Sequence, residues 1–207
     1  MIFLYLLEQS VIYSHSDLMY QLDNYASPRS KLIQLIKEGT YIQVRRGLFV
    51  DDPATPRQVL APIIYSPSYI SFQYVLSQAG LIPEGVKNLT SASFGKNKNK
   101  VFRTPFGEYH YWPVPRTTYP HGIRIEEEGG ISYLVATPEK ALCDSVYKVR
   151  SVTSINAMEN LLLYDWRIER SDLITLDWEF IAWLAPYYGT KSLRALSAWL
   201  NKEVDNG

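Results

Sequence analysis

Residues 14–50, SHSDLMYQLDNYASPRSKLIQLIKEGTYIQVRRGLFV, decide how the chain begins to fold. Ser14 followed by Asp17 matches a helix capping box, in which each residue's side chain satisfies the other's orphan N–H. Leu18, Met19 and Leu22 follow at the spacing of one helical face, and the polar Asp23-Asn24-Tyr25-Ala26 ends it in a turn. Ser27-Pro28 starts another helix, a cap followed by proline at the first helical position, where its missing N–H costs nothing. Leu32, Ile33, Leu35 and Ile36 form that helix's inward stripe, and Gly39 is its stop. Tyr41-Ile42-Gln43-Val44 and Leu48-Phe49-Val50 read as strands, joined through Arg45-Arg46-Gly47 in a hairpin whose glycine can take a positive φ. Ahead of all this, the apolar run at residues 2–7 reads as one more short buried helix.

Helix, turn, helix and hairpin is the order of a winged helix-turn-helix, whose second helix can enter a DNA major groove. At ~100° per residue, the face opposite the apolar stripe holds Ser30, Lys31, Gln34 and Lys37: hydroxyl, amide and cations suited to base edges and phosphates. Ser27 at the cap adds a hydroxyl. Arg29 falls on the apolar side by angle, but in the first turn its long side chain can still reach backbone phosphate. Arg45 and Arg46 at the hairpin tip would lie beside the adjacent backbone or minor groove. Between residues 26 and 50, Arg29, Lys31, Lys37, Arg45 and Arg46 stand against the single acid Glu38. The whole chain is neutral, with 21 Lys+Arg against 21 Asp+Glu, so this positive charge is local. A solvated helix face and a protein-binding winged helix fit the same pattern.

Asp51-Asp52-Pro53-Ala54-Thr55-Pro56 reads as a linker, dividing a 1–52 DNA-binding domain from a 53–207 domain. Residues 57–64 and 69–78 carry helical patterns. The period then drops to two, giving strands at 86–94, 101–104, 108–114, 122–126 and 131–136, with 95–100 as a hairpin loop. Thr137-Pro138-Glu139 opens a helix through Tyr147, and residues 154–202 read as helical. The expected class is α+β: a winged helix-turn-helix, then a mixed α/β domain with a mainly antiparallel sheet and C-terminal helices. Lys87, Lys96, Lys98, Lys100 and Arg103 form a second basic stretch without an acid. In a loop rich in Asn and Gly it is either a solubilising loop or a secondary clamp, centred on Lys96, Lys98 and Lys100, for nucleic acid or an acidic protein.

One cysteine, Cys143, excludes an internal disulfide or a Cys-based zinc cage, and three histidines leave little for metal chemistry. No cofactor, metal or catalytic residue is expected. The phosphate-loop, dinucleotide, zinc-protease and nucleophile-elbow motifs are absent from the sequence. Cys143 falls in an apolar helix pattern and reads as an inert buried thiol, and His110 reads as a strand residue with a satisfied ring. Glu126-Glu127-Glu128 before Gly129-Gly130 reads as a solvated turn. Glu139 and Asp144 are the only pair offering a metal-dependent nuclease as an alternative. No apolar run approaches the ~20 residues that span a bilayer, so no membrane partner and a cytoplasmic location are expected.

Three segments resemble the AbiEi family, the antitoxin half of type IV abortive-infection toxin–antitoxin systems. They are Ser16-Asp17-Leu18 through Arg45-Arg46-Gly47-Leu48-Phe49, Ser68-Tyr69-Ile70-Ser71-Phe72 through Gln78-Ala79-Gly80-Leu81-Ile82, and Ala136-Thr137-Pro138-Glu139-Lys140-Ala141-Leu142-Cys143-Asp144. The resemblance implies an autorepressor that binds double-stranded DNA at inverted repeats in its own promoter. It also implies an antitoxin that counters a nucleotidyltransferase-like toxin without needing a stable complex, and self-association on DNA. Only Arg45, Arg46 and the polar face of the helix after Pro28 have matching positions for DNA contact. A winged-helix regulator without a toxin partner fits the same residues.

Overall fold

The computed structural model describes residues 12–205, so the helix expected at residues 2–7 lies outside the described residues. The chain opens β1 (Ile12–Ser14), α1 (His15–Gln21), α2 (Pro28–Lys37), β2 (Ile42–Arg45) and β3 (Leu48–Val50). The capping box forms: Asp17 N–H donates to Ser14 Oγ at 3.2 Å, and Ser14 N–H to Asp17 Oδ2 at 2.7 Å. After α2, Gly39 (φ +80°) lets its own N–H reach Ile36 O and the Thr40 N–H reach Leu35 O, the paired bonds that close a helix C-terminus. Ser27 does not cap α2 with its side chain, because its hydroxyl donates to Ser30 Oγ instead. Ile33 also departs from the expected inward stripe and is 56% exposed, while Leu32 is buried and Leu35 and Ile36 are half-buried.

β3 is the hinge of the packing. It pairs antiparallel with β1 on one side and β2 on the other, so β1 makes the sheet three-stranded rather than a bare hairpin. Successive strand residues point to opposite faces. Phe49 accordingly closes a small core with Leu18, Leu22 and Leu32, while Leu48 and Val50 join Val44 in the apolar core of the rest of the chain. The expected linker does not interrupt that core: Thr55 is buried, and Tyr13 Oη donates to Asp51 at 2.9 Å.

The register of β2 slips between Gln43 and Arg45, leaving Val44 as an extra residue. Such a bulge re-aims the side chain that follows it. Arg45 therefore pairs with Leu48, on the face toward the larger core, and its Nη2 reaches Ile63 O at 3.5 Å.

The remaining strands are β4 (Ser68–Ile70), β5 (Leu89–Ser93), β6 (Lys100–Thr104), β7 (Gly107–Pro113), β8 (Ile123–Glu128) and β9 (Ile131–Ala136). They form one sheet in the order β6-β7-β5-β4-β9-β8. Pairs β4/β5, β6/β7 and β8/β9 are antiparallel, whereas β4/β9 and β5/β7 are parallel. All five expected strands are present. β4, expected within a helix at 69–78, is a sixth, and its helix starts only later. Residues 95–100 are not a hairpin loop, because β4 and β7 occupy both edges of β5. That loop instead carries the chain out to the sheet edge at β6, and the hairpin is β6/β7. Glu126–Glu128 likewise lie in β8 rather than in a turn.

Helices α3 (Arg57–Ile64), α4 (Gln73–Gln78), α5 (Pro138–Lys148), α6 (Ile155–Glu159), α7 (Arg170–Ile174), α8 (Trp178–Leu184) and α9 (Lys191–Asp205) complete the fold. A π-helical stretch extends α6, and a short 3₁₀ turn, Ala185–Tyr188, follows α8. Both Lys140 and Asp144, one turn apart on α5, are fully buried with Nζ and Oδ1 3.2 Å apart. Every polar atom of the pair is occupied. Lys140 Nζ also donates to Thr118 O (2.9 Å) and Tyr188 Oη (2.7 Å). Asp144 accepts from Tyr188 (2.6 Å), Tyr69 (2.9 Å) and Ser71 (2.7 Å). Burial first, and the Asp144 charge second, push the Tyr69 and Tyr188 phenols well above their ordinary pKa, so both stay protonated as donors. Gly122 seals this region: at φ +66°, a Cβ there would lie 2.8 Å from Lys140 Cβ and 2.9 Å from the Phe180 ring.

Removing one partner of such a pair strands the other charge without water. Asp144→Ala is expected to cost about 3–5 kcal/mol, lowering the thermal midpoint by roughly 6–20 °C. The double variant Lys140→Met/Asp144→Leu should recover only part of that loss, because it removes the stranded charge but leaves the buried Tyr69, Ser71 and Tyr188 hydroxyls without their acceptor. Calorimetry of the variants measures both, and an Asp144→Ala midpoint within a degree of wild type would contradict the network. Arg45→Ala, which uncaps the end of α3, should cost about 1 kcal/mol. Arg46→Ala, exposed at the tip, should leave the midpoint unchanged.

Candidate nucleic-acid interface

The face of α2 away from the small core is polar and carries most of the expected contact residues. Ser27, Arg29, Ser30, Gln34 and Lys37 are exposed and Lys31 is partly so. These groups answer one another along the helix. Lys31 Nζ donates to Gln34 Oε1 at 3.4 Å and lies 5.3 Å from the centroid of the Tyr25 ring. Gln34 Nε2 donates to Glu38 Oε1 at 2.6 Å. These are single bonds between solvated side chains, each worth little net against water. A base edge or phosphate can therefore replace them at small cost. Glu38 places a carboxylate beside Lys37 at the C-terminal end of the same face, so a phosphate is drawn less strongly there than at the first two turns.

The two hairpin arginines separate. Arg46 is exposed at the tip, as expected. Arg45 is not a second free tip cation. Its guanidinium spans the Arg46 carbonyl (3.1 Å) and the Ile63 carbonyl, and its Nε is buried. The cause is the β2 bulge, which turns the side chain onto the C-terminal end of α3. The last carbonyls of a helix lack intrahelical partners and carry negative partial charge. Arg45 satisfies one of them, at Ile63, while Ala61 O accepts both the Tyr65 N–H (3.4 Å) and the Tyr111 hydroxyl (2.7 Å).

The structure also divides the second basic stretch. Lys87 precedes β5, and its carbonyl accepts from Arg57 Nη1. Arg103, at the far end of β6, is paired with Glu108 at 2.7 Å, and Glu108 also meets His110 Nε2 at 3.0 Å. Those two bonds hold the Glu108 carboxyl below its ordinary pKa, and they supply the satisfied ring expected of His110. Lys96, Lys98 and Lys100 remain together around the β5–β6 loop. Lys96 Nζ lies 5.2 Å from the centroid of Tyr65, the residue that ends α3. Arg116, absent from any basic run in the sequence, lies over Phe94 at 5.4 Å and beside Gly95. No local signal marks it, since it follows Pro113-Val114-Pro115 far from the lysines in sequence.

The alternative metal centre does not assemble. Asp144 is sealed with both oxygens occupied, while Glu139 accepts from the Asp177 N–H at 3.3 Å on a different side of α5. Among the described residues, no three His, Cys, Asp or Glu side chains group as metal ligands. Burial pushes the Cys143 thiol far above its ordinary pKa, as expected of an inert residue. Among the described residues, no helix is long and apolar enough to cross a membrane.

No protein-family model matches the chain, and no curated protein matches it. A similar solved structure is the crystal structure of the RV2827C protein from Mycobacterium tuberculosis, 14% identical with a TM-score of 0.45, over 91% of this chain and 76% of that one. The resemblance to AbiEi antitoxins thus stands on the three sequence segments that carry it.

Proposed function

We propose that this chain is a DNA-binding autorepressor and the antitoxin of a type IV abortive-infection pair. In this reading residues 1–52 act as a winged helix-turn-helix, α2 enters the major groove and the β2–β3 hairpin is the wing. The observation that carries it is the pairing of an exposed Lys31–Gln34 polar face on α2 with an exposed Arg46 at the hairpin tip, both held by one small core around Phe49. Gln34 is the residue suited to reading a base, because its amide can bond an adenine edge bidentately. Arg29, Lys31, Lys37 and Arg46 supply sequence-independent phosphate contacts. Inverted repeats in the chain's own promoter would engage two copies, so self-association on DNA belongs to this reading. The toxin would be a nucleotidyltransferase-like protein countered in the cytoplasm without a lasting complex. That half rests on the resemblance that the three segments carry together, and no motif in them marks antitoxic residues.

The test is a mobility shift with the chain's own upstream DNA over a salt series. Affinity is expected to fall steeply with salt, and each lost phosphate contact should lower the log–log slope by about 1. Gln34→Ala should cost about 1–3 kcal/mol on the operator and little on unrelated DNA. A Lys31→Ala/Gln34→Ala/Lys37→Ala protein that binds with unchanged affinity and slope would remove α2 from the groove.

A further inference from the structure

The hairpin tip and the β5–β6 loop are about fifty residues apart in the sequence, yet both arrive at the C-terminal end of α3. Arg45 Nη2 sits 3.5 Å from Ile63 O, and Lys96 Nζ sits over the Tyr65 ring two residues further on. The Tyr65 ring also packs edge-on against Tyr111 at 5.2 Å. Tyr111 is the cross-strand partner of Lys100. Tyr65, Tyr111 and the last turn of α3 thus form a floor on which a cation from each segment rests. Arg116, over Phe94, extends the group along the same loop. None of Arg45, Arg46, Lys96, Lys98, Lys100 and Arg116 enters an ion pair among the described residues.

The partial negative charge at a helix C-terminus offsets only the cations touching it. Arg45 is held there and Lys96 rests on the Tyr65 ring, whereas Arg46, Lys98 and Lys100 are exposed and uncompensated. We infer that the hairpin tip and the Lys96–Lys98–Lys100 loop form one composite surface for the phosphate backbone of duplex DNA, so that the larger part of the chain contacts DNA outside the site read by α2. This rests on the DNA-binding reading above and adds a second contact element to it. The chemistry favours a polyanion backbone over a specific carboxylate. Lysines on flexible stems, interleaved with Asn97 and Asn99, bind phosphate as point charges and impose no bidentate geometry. The contact is therefore blind to sequence, and it adds affinity and salt sensitivity but no discrimination.

The experiment compares wild type, a Lys96→Ala/Lys98→Ala/Lys100→Ala protein, its Lys→Arg counterpart and the α2 triple variant. Each is titrated with operator DNA and with unrelated duplex across a salt series, with thermal midpoints recorded. The alanine variant should keep the wild-type midpoint and lose about 2–3 from the salt slope on both DNAs. Its ratio of operator to unrelated affinity should not change, and the arginine variant should restore the slope. If the alanine variant keeps the wild-type slope while the α2 variant weakens, the loop is not on DNA and the α2 reading survives. If the loop variant loses slope and the α2 variant does not, the loop stands and the α2 placement falls. Wild type that binds neither duplex at low salt overturns both. Weakening that arginine fails to restore overturns the composite surface, since charge alone is then not what the DNA senses.

Discussion

The buried Lys140–Asp144 pair constrains more of this molecule than any other contact. Its partners come from β4 (Tyr69) and the residue just after it (Ser71), from the loop after β7 (Thr118) and from the 3₁₀ turn before α9 (Tyr188). An ion pair out of water is tolerable only when every remaining lone pair and proton is bonded. Satisfying that demand fixes where the sheet, α5 and the C-terminal helices sit relative to one another. It also explains the short β4: Ser68–Ile70 runs centrally between β5 and β9, and Tyr69 and the adjoining Ser71 deliver their hydroxyls to Asp144. The Pro-Glu-Lys-Ala-Leu segment, the most distinctive point of resemblance to the abortive-infection antitoxins, is therefore structural at Lys140 and Asp144.

A second coupling runs through β3. Phe49 belongs to the small core under α1 and α2, and its neighbours Leu48 and Val50 belong to the large core. One three-residue strand is thus shared by two apolar clusters. The segment that carries α2 is not a bead on a flexible tether, because moving it would expose Leu48, Val50 and Val44 to water. Arg45 reinforces the same junction from the hairpin side by capping α3. An arginine placed for phosphate by sequence position is used here as a clip, and its neighbour Arg46 is left for solvent or ligand.

Much of this was legible from local signals. The α1 capping box, the Pro28 start, the Gly39 stop and the Gly47 turn each depend on residues within a few positions of one another. They form as read, apart from the Ser27 hydroxyl, which bonds Ser30. What was not legible depends on distant partners. β1 exists because β3 pairs with it across more than thirty residues, and β4 is too short to show a period of two. The 95–100 loop looks like a hairpin by composition, but strand order is a property of the sheet. Ile33 falls within the apolar stripe by angle, yet α1 and Phe49 do not extend far enough to cover it. The bulge that turns Arg45 leaves no mark in its sequence. Lys140 and Asp144 at i and i+4 look like a surface pair until residues 69, 71, 118 and 188 close around them.

Zero net charge, which argues against a polyanion partner when read as a sum, is better read as a distribution. β6 and β8 are the two edges of the six-stranded sheet. The first begins at Lys100, beside Lys96 and Lys98, and the second carries Glu126, Glu127 and Glu128. Five strand spacings put these edges about 24 Å apart, two to three Debye lengths at physiological salt. At that distance the acidic edge hardly weakens the field at the basic one. Under the proposed DNA-binding function, a phosphate backbone at the β6 edge and the hairpin tip would sense Arg46, Lys98 and Lys100 and be screened from the glutamates. A chain that is neutral in sum thus has one basic sheet edge and one acidic edge, the latter partly offset by the Arg124–Glu126 pair.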